Sequence, residues 1–305
     1  MRPGWAQLSP STKELLAEAG LEQADVLAIV VTALEEDLGS PPRDVTSLAT
    51  IDEAQHSTGD LVARADGVVA GLAVTAAVFD GASGMAAQFQ ARVADGSRVS
   101  RGDVLATVTG PTRALLAAER TALNLLCRMS GVATHTRAWA DRLAGTRAQV
   151  LDTRKTTPGL RVLEKYAVRA GGGTNKRMGL YDVAMVKDNH VVAAGGVVAA
   201  YRRVREAFPE VPVQVEVTTV DEAKAVVEAG ADFLLCDNMA PDLLRQVVAA
   251  VGGRAELEAT GGLTLDVAAE YAATGVDYLS VGALTHSSPI LDIAFDLRPT
   301  ARDLG

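Results

Sequence analysis

The segment LDTRKTTPGLRVLEKYAVRAGGGTNKRMGLYDVAMVKDNH, residues 151–190, holds the clearest structural signals in the second half of the chain. One apolar run ends at Leu151, a second covers residues 183–186, and charged residues follow each run directly. The segment contains eight lysines and arginines and four acidic residues, a local excess of about four positive charges in a chain of net charge −9. Such a cationic segment in an acidic protein indicates a binding site for a polyanionic small molecule.

Apolar runs of strand length recur through the second part of the chain, with helical patterns between them. The runs are at residues 149–151, 183–186, 213–217, 233–236, 255–258 and 278–281, and helices are predicted at 219–229 and 241–251. Regular alternation of strands and helices indicates a parallel sheet. A polar residue or a glycine follows each run, and the strand ends of a (β/α) barrel share one mouth where active sites form. We therefore predict an α/β fold, a barrel with about six recognisable strands, and the alternative is an open doubly wound sheet.

The chain up to about Gly131 has a different pattern. Two amphipathic helices are predicted within residues 11–38, with a break at Gly20, and another helix at 112–127. Short strand-like segments lie at residues 60–65, 67–70, 88–93 and 104–108. The predicted domains are an α/β domain at 1–131 and a barrel domain at 132–288, with a C-terminal tail, about 289–305, that packs on the first domain.

Composition restricts the class of protein. The chain has 305 residues, 48% of them hydrophobic, which is enough for one large domain or two smaller ones. Its negative charge and its 4% aromatic content argue against a nucleic-acid-binding surface. Cys127 and Cys236, the only cysteines, have no metal-ligand spacing and fit a reducing compartment. Because no signal segment and no membrane-spanning apolar run is found, we predict a cytoplasmic protein without membrane contact.

Five cations lie at or near strand ends. Arg154 and Lys155 directly follow the first strand of the second part, so we expect them to bind the anion. Lys176 and Arg177 follow a run of three glycines, which puts two cations on a mobile loop. Lys187 ends the next strand, where a lysine is costly to bury without an anionic partner. That partner is either the ligand or a carboxylate at a neighbouring strand end.

Three further cations, Arg161, Lys165 and Arg169, are spaced by four residues. We expect their helix to begin at Thr156-Thr157-Pro158, since threonine caps helices and proline suits the first helical position. Because the three cations share one face of that helix, we predict that the face is solvated.

Acidic residues and glycines end the later strands. Glu216 and Asp237 either balance the cations or hold Mg²⁺ through carboxylate and water, which is the arrangement we favour. The turns Thr260-Gly261-Gly262 and Val281-Gly282-Ala283 are each expected to follow a strand and open a helix. Backbone N–H groups at such turns bind phosphate, so the two turns together predict a phosphate site.

Two further polar residues, His190 and Arg120, each have two alternative roles. His190 follows Asp188-Asn189 at a predicted helix start, and we expect it to orient a loop rather than to act as a general base. Arg120 interrupts the apolar pattern of its helix, and it either pairs with Glu119 or reaches a neighbouring site.

Together, several segments closely resemble the quinolinate phosphoribosyltransferase family, the decarboxylating nicotinate-nucleotide pyrophosphorylases. They are LDTRKTTPGLR (151–161), KYAVRAGGGTN (165–175), KDNH (187–190), VEV (215–217) and SVGALTH (280–286), within a resemblance from about residue 25 to 298. The resemblance implies an N-terminal α/β sandwich domain and an incomplete barrel of six or seven parallel strands. It also implies a homodimer, or a higher oligomer, whose active sites lie between subunits.

The family's reaction joins quinolinate to phosphoribosyl pyrophosphate (PRPP) and gives nicotinate mononucleotide, pyrophosphate and CO₂ for NAD biosynthesis. By resemblance, Arg154, Lys155, Arg177, Lys187 and the partner subunit's Arg120 would surround quinolinate, with Thr153, Lys176 and His286 as further substrate contacts. Glu216 and Asp237 would hold the ribose hydroxyls and the Mg²⁺-pyrophosphate, and the turns at 260–262 and 281–283 would hold the 5′-phosphate. The residues expected to be catalytic are Lys155, Lys187, Glu216 and Asp237, and no side-chain nucleophile is required.

One position departs from the family pattern, which usually has Asn-His-Arg where this chain has Asn175-Lys176-Arg177. Lysine keeps a cation but removes a group that titrates near neutrality, so we expect an active enzyme with altered affinity for the dicarboxylate. The alternatives are a phosphoribosyltransferase for another pyridine or aromatic acid, a Schiff-base aldolase that uses Lys155 or Lys187, and a binding protein without activity.

Overall fold

The chain folds into two compact units. The computed structural model describes residues 5–298. Within that range the first unit comprises residues 5–135, 157–172 and 287–298, and the second comprises residues 136–156 and 173–286. This division differs from the predicted domains, 1–131 and 132–288, because residues 157–172 belong to the first unit although they lie between two barrel strands in the sequence.

The first unit contains a four-stranded antiparallel sheet. Its elements are α1 (Pro10–Glu18), α2 (Gln23–Leu38), α3 (Val45–Thr50), β1 (His56–Ala63), β2 (Gly67–Val68), α4 (Leu72–Ser83), β3 (Gln88–Ala91), β4 (Arg98–Val99), β5 (Val104–Pro111), the first part of α5 (Thr112–Leu143), α6 (Arg161–Ala170) and β12 (Ile293–Leu297). The sheet order is β12-β1-β5-β3, and β2 pairs with β4. The C-terminal strand β12 thus joins this sheet beside β1, whereas residues 299–305 of the predicted tail lie outside the described residues.

Helix α4 is central to the first unit and was missed by the sequence patterns. Residues 72–81 are all buried, because the helix is apolar on almost every face. Such a helix has no amphipathic period to detect. The Phe79 ring packs against Phe89 on β3 and Phe295 on β12, with centroid distances of 6.4 and 5.7 Å. The helix therefore supplies the core against which the sheet closes.

Helix α5 is twice as long as predicted, running unbroken from Thr112 to Leu143. It passes the predicted helix end at Cys127 and the predicted domain boundary at Gly131. A Cβ atom at Gly131 would lie only 2.1 Å from the Pro289 carbonyl oxygen, so this glycine permits close packing rather than ending the helix. Neither α5 nor any other helix within residues 5–298 is both long and apolar enough to cross a bilayer.

Helix α6 begins at Arg161, five residues after the predicted start at Thr156. Thr157 does not cap it, because its backbone N–H and its hydroxyl both donate to the Glu164 carboxylate, at 2.9 and 2.7 Å. Residues 158–159 then form a turn before the first helical residue. Thr157 is therefore held by the side chain of Glu164, which lies in the first turn of α6.

The predicted solvated face of α6 is wrong at Lys165. Lys165 and Glu164 are both fully buried, whereas Arg169 is exposed. Glu164 also accepts hydrogen bonds from the Arg128 guanidinium of α5, at 2.7 Å from Nη2 and 3.2 Å from Nε. Cations at four-residue spacing indicate one helix face, but they do not show whether another element covers it.

The second unit is an incomplete (β/α) barrel. Its elements after α5 are β6 (Gln149–Leu151), β7 (Ala184–Val186), α7 (Asp188–Ala194), α8 (Val197–Ala207), β8 (Val213–Val217), α9 (Val220–Glu228), β9 (Phe233–Asp237), α10 (Pro241–Val251), β10 (Glu256–Thr260), α11 (Ala268–Ala272), β11 (Tyr278–Ser280) and α12 (Ala283–His286). The six strands are parallel, in the order β6-β11-β10-β9-β8-β7.

The strand order makes the sheet curl round on itself. The first and last strands of this sheet in sequence order, β6 and β11, are neighbours, and the two edge strands are β6 and β7. At the β6 edge, Thr174 forms a single parallel bridge with Leu151. This arrangement confirms the predicted incomplete barrel and excludes the doubly wound alternative.

Candidate active site

A cavity of about 750 Å³ lies at the carboxyl ends of the barrel strands, entirely within the second unit. Its lining residues are Thr153, Arg154, Lys155, Lys176, Arg177, Met185, Lys187, Leu235, Asp237, Asn238, Thr260, Gly261, Gly262, Leu263, Ser280, Val281, Gly282, Ala283 and His286. The structure thus brings together every predicted site residue except Glu216 and Arg120. Residues 130 positions apart in the chain meet because each follows a strand of one parallel sheet.

Five of the lining residues are lysines or arginines, and they set the electrostatics of the cavity. The Arg177 guanidinium donates to the Val183 carbonyl oxygen at 2.9 Å. Burial lowers the pKa of Arg177 from its ordinary value, the nearby Arg154 guanidinium lowers it further, and the Asp182 carboxylate opposes both effects. Like charges are therefore held close together here, which favours the binding of an anion.

Two aspartates hold the segment that carries Lys176 and Arg177. The fully buried Asp152 carboxylate accepts from the Asn175 side-chain amide at 2.6 Å and from the Lys176 backbone N–H at 2.8 Å. Further along, Asp182 accepts from the backbone N–H groups of residues 178, 179 and 183. Burial alone would raise the pKa of Asp182, but these backbone donors lower it overall. These hydrogen bonds hold the segment after the glycine triplet in a defined loop conformation, and the predicted mobility of that loop stays a prediction.

Lys187 pairs with a carboxylate at a neighbouring strand end, which is one of the two partners predicted for it. Its Nζ lies 2.9 Å from Glu216 Oε2, and the lysine side chain is about half exposed. The Lys187 backbone N–H donates to His190 Nδ1 at 3.0 Å, so His190 orients this turn as predicted. Glu216 contacts the cavity-lining residue Lys187 but does not itself line the cavity.

Lys176 pairs with a carboxylate that the sequence did not single out. Its Nζ lies 2.5 Å from Glu258 Oε1, and Glu258 is fully buried on β10. The other Glu258 oxygen accepts from the Gln214 side-chain amide at 2.6 Å. Burial lowers the pKa of Lys176, and the Glu258 carboxylate opposes that shift. The available signal for Glu258 was its position between the apolar residues Leu257 and Ala259 of β10.

The two glycine turns bring backbone close to other groups. A Cβ atom at Gly261, where φ is +104°, would lie 2.2 Å from Asn238 Oδ1, and one at Gly282 would lie 2.9 Å from Lys155 Cδ. The turn at Gly282 opens α12, as expected, but the turn at Gly261 does not open a helix: a second turn follows at residues 265–267 and α11 begins only at Ala268. Bare backbone therefore lines the cavity at both turns.

Five lining residues were not predicted: Met185, Leu235, Asn238, Leu263 and Ser280. Met185, Leu235 and Ser280 each lie two positions before a predicted site residue, which in a strand is the same face. Asn238 adopts a φ of +51°, a left-handed conformation that asparagine tolerates better than most residues, and its amide donates to Asp237 Oδ2 at 2.8 Å. Strand periodicity and the Asp-Asn pair were the signals for four of the five.

Arg120 is an exposed residue of α5 in the first unit. Its predicted place in a partner subunit's site requires a second copy of the chain, so that role stays a prediction.

The described residues contain no cluster of three or more His, Cys, Asp or Glu side chains that could hold a metal ion by themselves. Glu216 and Asp237 end the adjacent strands β8 and β9. Two carboxylates suit Mg²⁺ when substrate phosphates and water complete its coordination. The donor set therefore fits a metal that arrives with a pyrophosphate.

An incomplete parallel barrel with a cationic, glycine-lined cavity at its strand ends defines a class of enzymes that bind phosphorylated and carboxylated small molecules. The family models for the quinolinate phosphoribosyl transferase N-terminal domain, over residues 44–130, and C-terminal domain, over residues 132–296, both match. The chain belongs to the quinolinate phosphoribosyltransferase family.

Curated and solved relatives agree with this membership. The chain is 49% identical over 271 residues to nicotinate-nucleotide pyrophosphorylase [carboxylating] of Mycobacterium leprae, covering 87% of this chain and 94% of that one. It is 42% identical over 265 residues to the probable enzyme of the same name from Bacillus subtilis, covering 86% and 90%. Among solved structures, NadC from Streptococcus pyogenes superposes with a TM-score of 0.86 at 36% identity, covering 92% of this chain and 97% of that one.

Proposed function

We propose that this chain transfers the phosphoribosyl group of PRPP to quinolinate and removes one carboxylate as CO₂. The products are nicotinate mononucleotide, pyrophosphate and CO₂, which places the enzyme in NAD biosynthesis. The observation that carries the proposal is the convergence of five lysines and arginines with two glycine turns in one cavity of the barrel. Both substrates are polyanions, and the family membership names them.

Quinolinate carries two carboxylates on a planar ring. Arginine suits such a group because its guanidinium can donate two parallel hydrogen bonds to a carboxylate. We assign Arg154, Lys155, Arg177 and Lys187 to the dicarboxylate, with Thr153 and His286 at the edges of the same cavity. Lys187 would then exchange part of its contact with Glu216 for the substrate.

PRPP brings a 5′-phosphate, a ribose and a pyrophosphate. The turns at residues 260–262 and 281–283 offer backbone N–H groups without bulky side chains, so we assign the 5′-phosphate to them. Glu216 and Asp237 would accept from the ribose hydroxyls and hold Mg²⁺ on the pyrophosphate. The metal would neutralise charge on that leaving group.

The reaction needs positioning and charge more than it needs a nucleophilic side chain. The quinolinate nitrogen attacks the sugar carbon as the bond to pyrophosphate breaks, and the sugar passes through an oxocarbenium-like state. Fixed cations that orient the two substrates supply most of the acceleration. The ring bond to the carboxylate next to the nitrogen then breaks, its electron pair stays on the ring carbon beside the cationic nitrogen, and a solvent proton replaces CO₂.

The proposal includes an assembly and a location. A homodimer in which the partner subunit's Arg120 completes each site would add a cation to the dicarboxylate pocket. The two cysteines, Cys127 and Cys236, are both buried and unbridged, which agrees with a cytoplasmic location.

One assay tests the function. Purified protein is given PRPP, Mg²⁺ and either quinolinate or nicotinate, and pyrophosphate and CO₂ are followed together. We expect both products in equal amounts with quinolinate, neither with nicotinate, and loss of turnover when EDTA removes the metal. Pyrophosphate release without CO₂ would contradict the decarboxylating reaction, and turnover of nicotinate alone would indicate a different pyridine acid.

A further inference from the structure

Lys176 is tied into the barrel at both its backbone and its side chain. Its backbone N–H donates to Asp152 at the end of β6, and its ammonium contacts Glu258 on β10. Both carboxylates are fully buried. The lysine therefore links the loop at residues 174–177 to the interior of the barrel.

The chain of contacts continues beyond Glu258. Gln214 on β8 is fully buried and donates to the second Glu258 oxygen at 2.6 Å. Asp152, Lys176, Glu258 and Gln214 thus connect the β6 edge to β10 and β8, which lie further along the sheet. Within residues 5–298, the β6 edge carries a single isolated bridge, between Leu151 and Thr174. The side-chain contacts consequently stabilise the loop where the barrel lacks a paired strand.

The Lys176–Glu258 pair also makes the Lys176 ammonium less available to a substrate in the cavity. A buried carboxylate is very costly without a cationic partner, so Glu258 holds the lysine ammonium strongly. Turning that ammonium toward a substrate would leave Glu258 uncompensated. The next residue, Arg177, lines the same cavity, and its guanidinium rests on the Val183 carbonyl oxygen.

We infer that Lys176 is a positioning residue, whose ion pair with Glu258 fixes the loop at residues 174–177 and so holds the Arg177 guanidinium where the acid substrate binds. The identity of that acid rests on the proposed function. The lysine that stands where the family usually has histidine is then neutralised by Glu258 inside the barrel. Arg177, rather than Lys176, contacts the dicarboxylate.

The test compares Lys176→Met, Glu258→Gln and the double variant, with Lys224→Met on the exposed side of α9 as the matched control. The binding probe is benzene-1,2-dicarboxylate, which has both carboxylates of quinolinate but no ring nitrogen to react. We expect each single variant to weaken its binding about tenfold, the double variant to be no weaker than Lys176→Met, and the control to be unchanged. If Lys176 were instead a direct ligand, Glu258→Gln would free its ammonium, and equal or tighter binding in that variant overturns the inference.

Kinetics separates positioning from general damage. The KM for quinolinate should rise about tenfold while kcat and the KM for PRPP stay within about threefold. Arg177→Lys should cost much less in the Lys176→Met background than in the wild type, because Arg177 is already displaced there. Equal costs in both backgrounds overturn the inference.

Measurements of stability and activity distinguish a failure of this inference from a failure of the proposed function. Lys176→Met leaves Glu258 unpaired and should lower the thermal midpoint by roughly 5–10 °C, while the double variant recovers part of the loss. If Lys176→Met does not fold, Glu258→Gln and the double variant still give the binding comparison. A wild type that ignores quinolinate contradicts the proposed function alone, whereas active wild type with unchanged KM in every variant contradicts the inference alone.

Discussion

Two adjacent glycines in the turn after β10 have unequal structural roles. Gly261 has a φ of +104° and lies against Asn238, so an added Cβ would meet the Asn238 side chain at 2.2 Å. Gly262 has a φ of +59° but faces open space. Both are strained positions for an L-residue, but only Gly261 also touches a residue of the cavity. The pair therefore offers a matched comparison.

We expect Gly261→Ala to raise the KM for PRPP by about tenfold and to reduce the free energy of unfolding by about 1–3 kcal/mol, since backbone strain and the displacement of Asn238 add together. Gly262→Ala should cost only about 1 kcal/mol of unfolding free energy, because backbone strain acts there without a steric contact with Asn238. Steady-state kinetics and denaturant unfolding of both variants measure the difference. Equal effects of the two substitutions would show that steric contact with Asn238 is unimportant.

At the residue level, the sequence predicted positions along strands better than it predicted partners. Arg154, Lys155 and Asp237 line the cavity because the polar residue after an apolar run occupies the strand end wherever that strand is placed. The pairing of Glu258 with Lys176 and the burial of Lys165 were missed, because both depend on what lies across the barrel or above the helix. Such environments come from contacts between segments far apart in the chain.

At the level of single elements, the entry to α6 depends on one buried carboxylate. Glu164 accepts from the Thr157 backbone and hydroxyl and from Arg128, and its side chain is 1% exposed. Glu164→Ala should therefore reduce the free energy of unfolding by about 3–5 kcal/mol, because the buried part of Arg128 loses this carboxylate. Thr157→Val removes the hydroxyl's bond to Glu164 and its long contact, 3.5 Å, with the Arg128 guanidinium, and should cost about 1 kcal/mol. Similar unfolding curves for the two variants would contradict the central role of Glu164.

The attachment of β12 to β1 should depend on pH. Hydrogen bonds from Arg298, and secondarily from Thr107, lower the pKa of Asp60 from its ordinary value, against the opposing effect of burial. A lowered pKa stabilises the fold above the unfolded-state value, and that contribution is lost as pH falls through the folded-state value. Asp60→Asn should lower the thermal midpoint by about 1–3 °C at pH 7 and by progressively less toward about pH 3. A difference that is constant from pH 7 to pH 3 would exclude this linkage.

Elements were predictable where their pattern is local. The apolar runs at 149–151 and 213–217 match β6 and β8, and the helix at 241–251 matches α10. Helix α4 was missed because it is buried on all sides. Helix α5 was predicted to end at Cys127 but continues to Leu143, past the predicted domain boundary at Gly131, where the glycine serves close packing. Periodicity reports the exposure of one helix face, so it fails where a helix has no exposed face.

At the level of the whole molecule, the strand-helix alternation sufficed to predict the barrel, but not the division into units. Residues 157–172 lie between β6 and β7 in sequence and belong to the first unit. Nothing in the segment's own pattern distinguishes it from a barrel helix, since its amphipathic face is compatible with either. The difference follows from its long-range partners, such as the Arg128–Glu164 pair.

A shared active site makes a prediction that only an assembly can test. If each site combines Lys155 and Lys187 of one subunit with the partner subunit's Arg120, Arg120→Ala and Lys155→Ala homodimers should both be nearly inactive. A hybrid dimer of those two variants, isolated with two different tags, then contains one intact site and one doubly altered site. Its turnover of quinolinate should reach about half that of the wild type. The matched control is a hybrid of Lys155→Ala with Lys187→Ala, in which both sites stay defective. An inactive Arg120→Ala hybrid would place Arg120 outside the partner's site, and a monomeric wild type would exclude the shared site altogether.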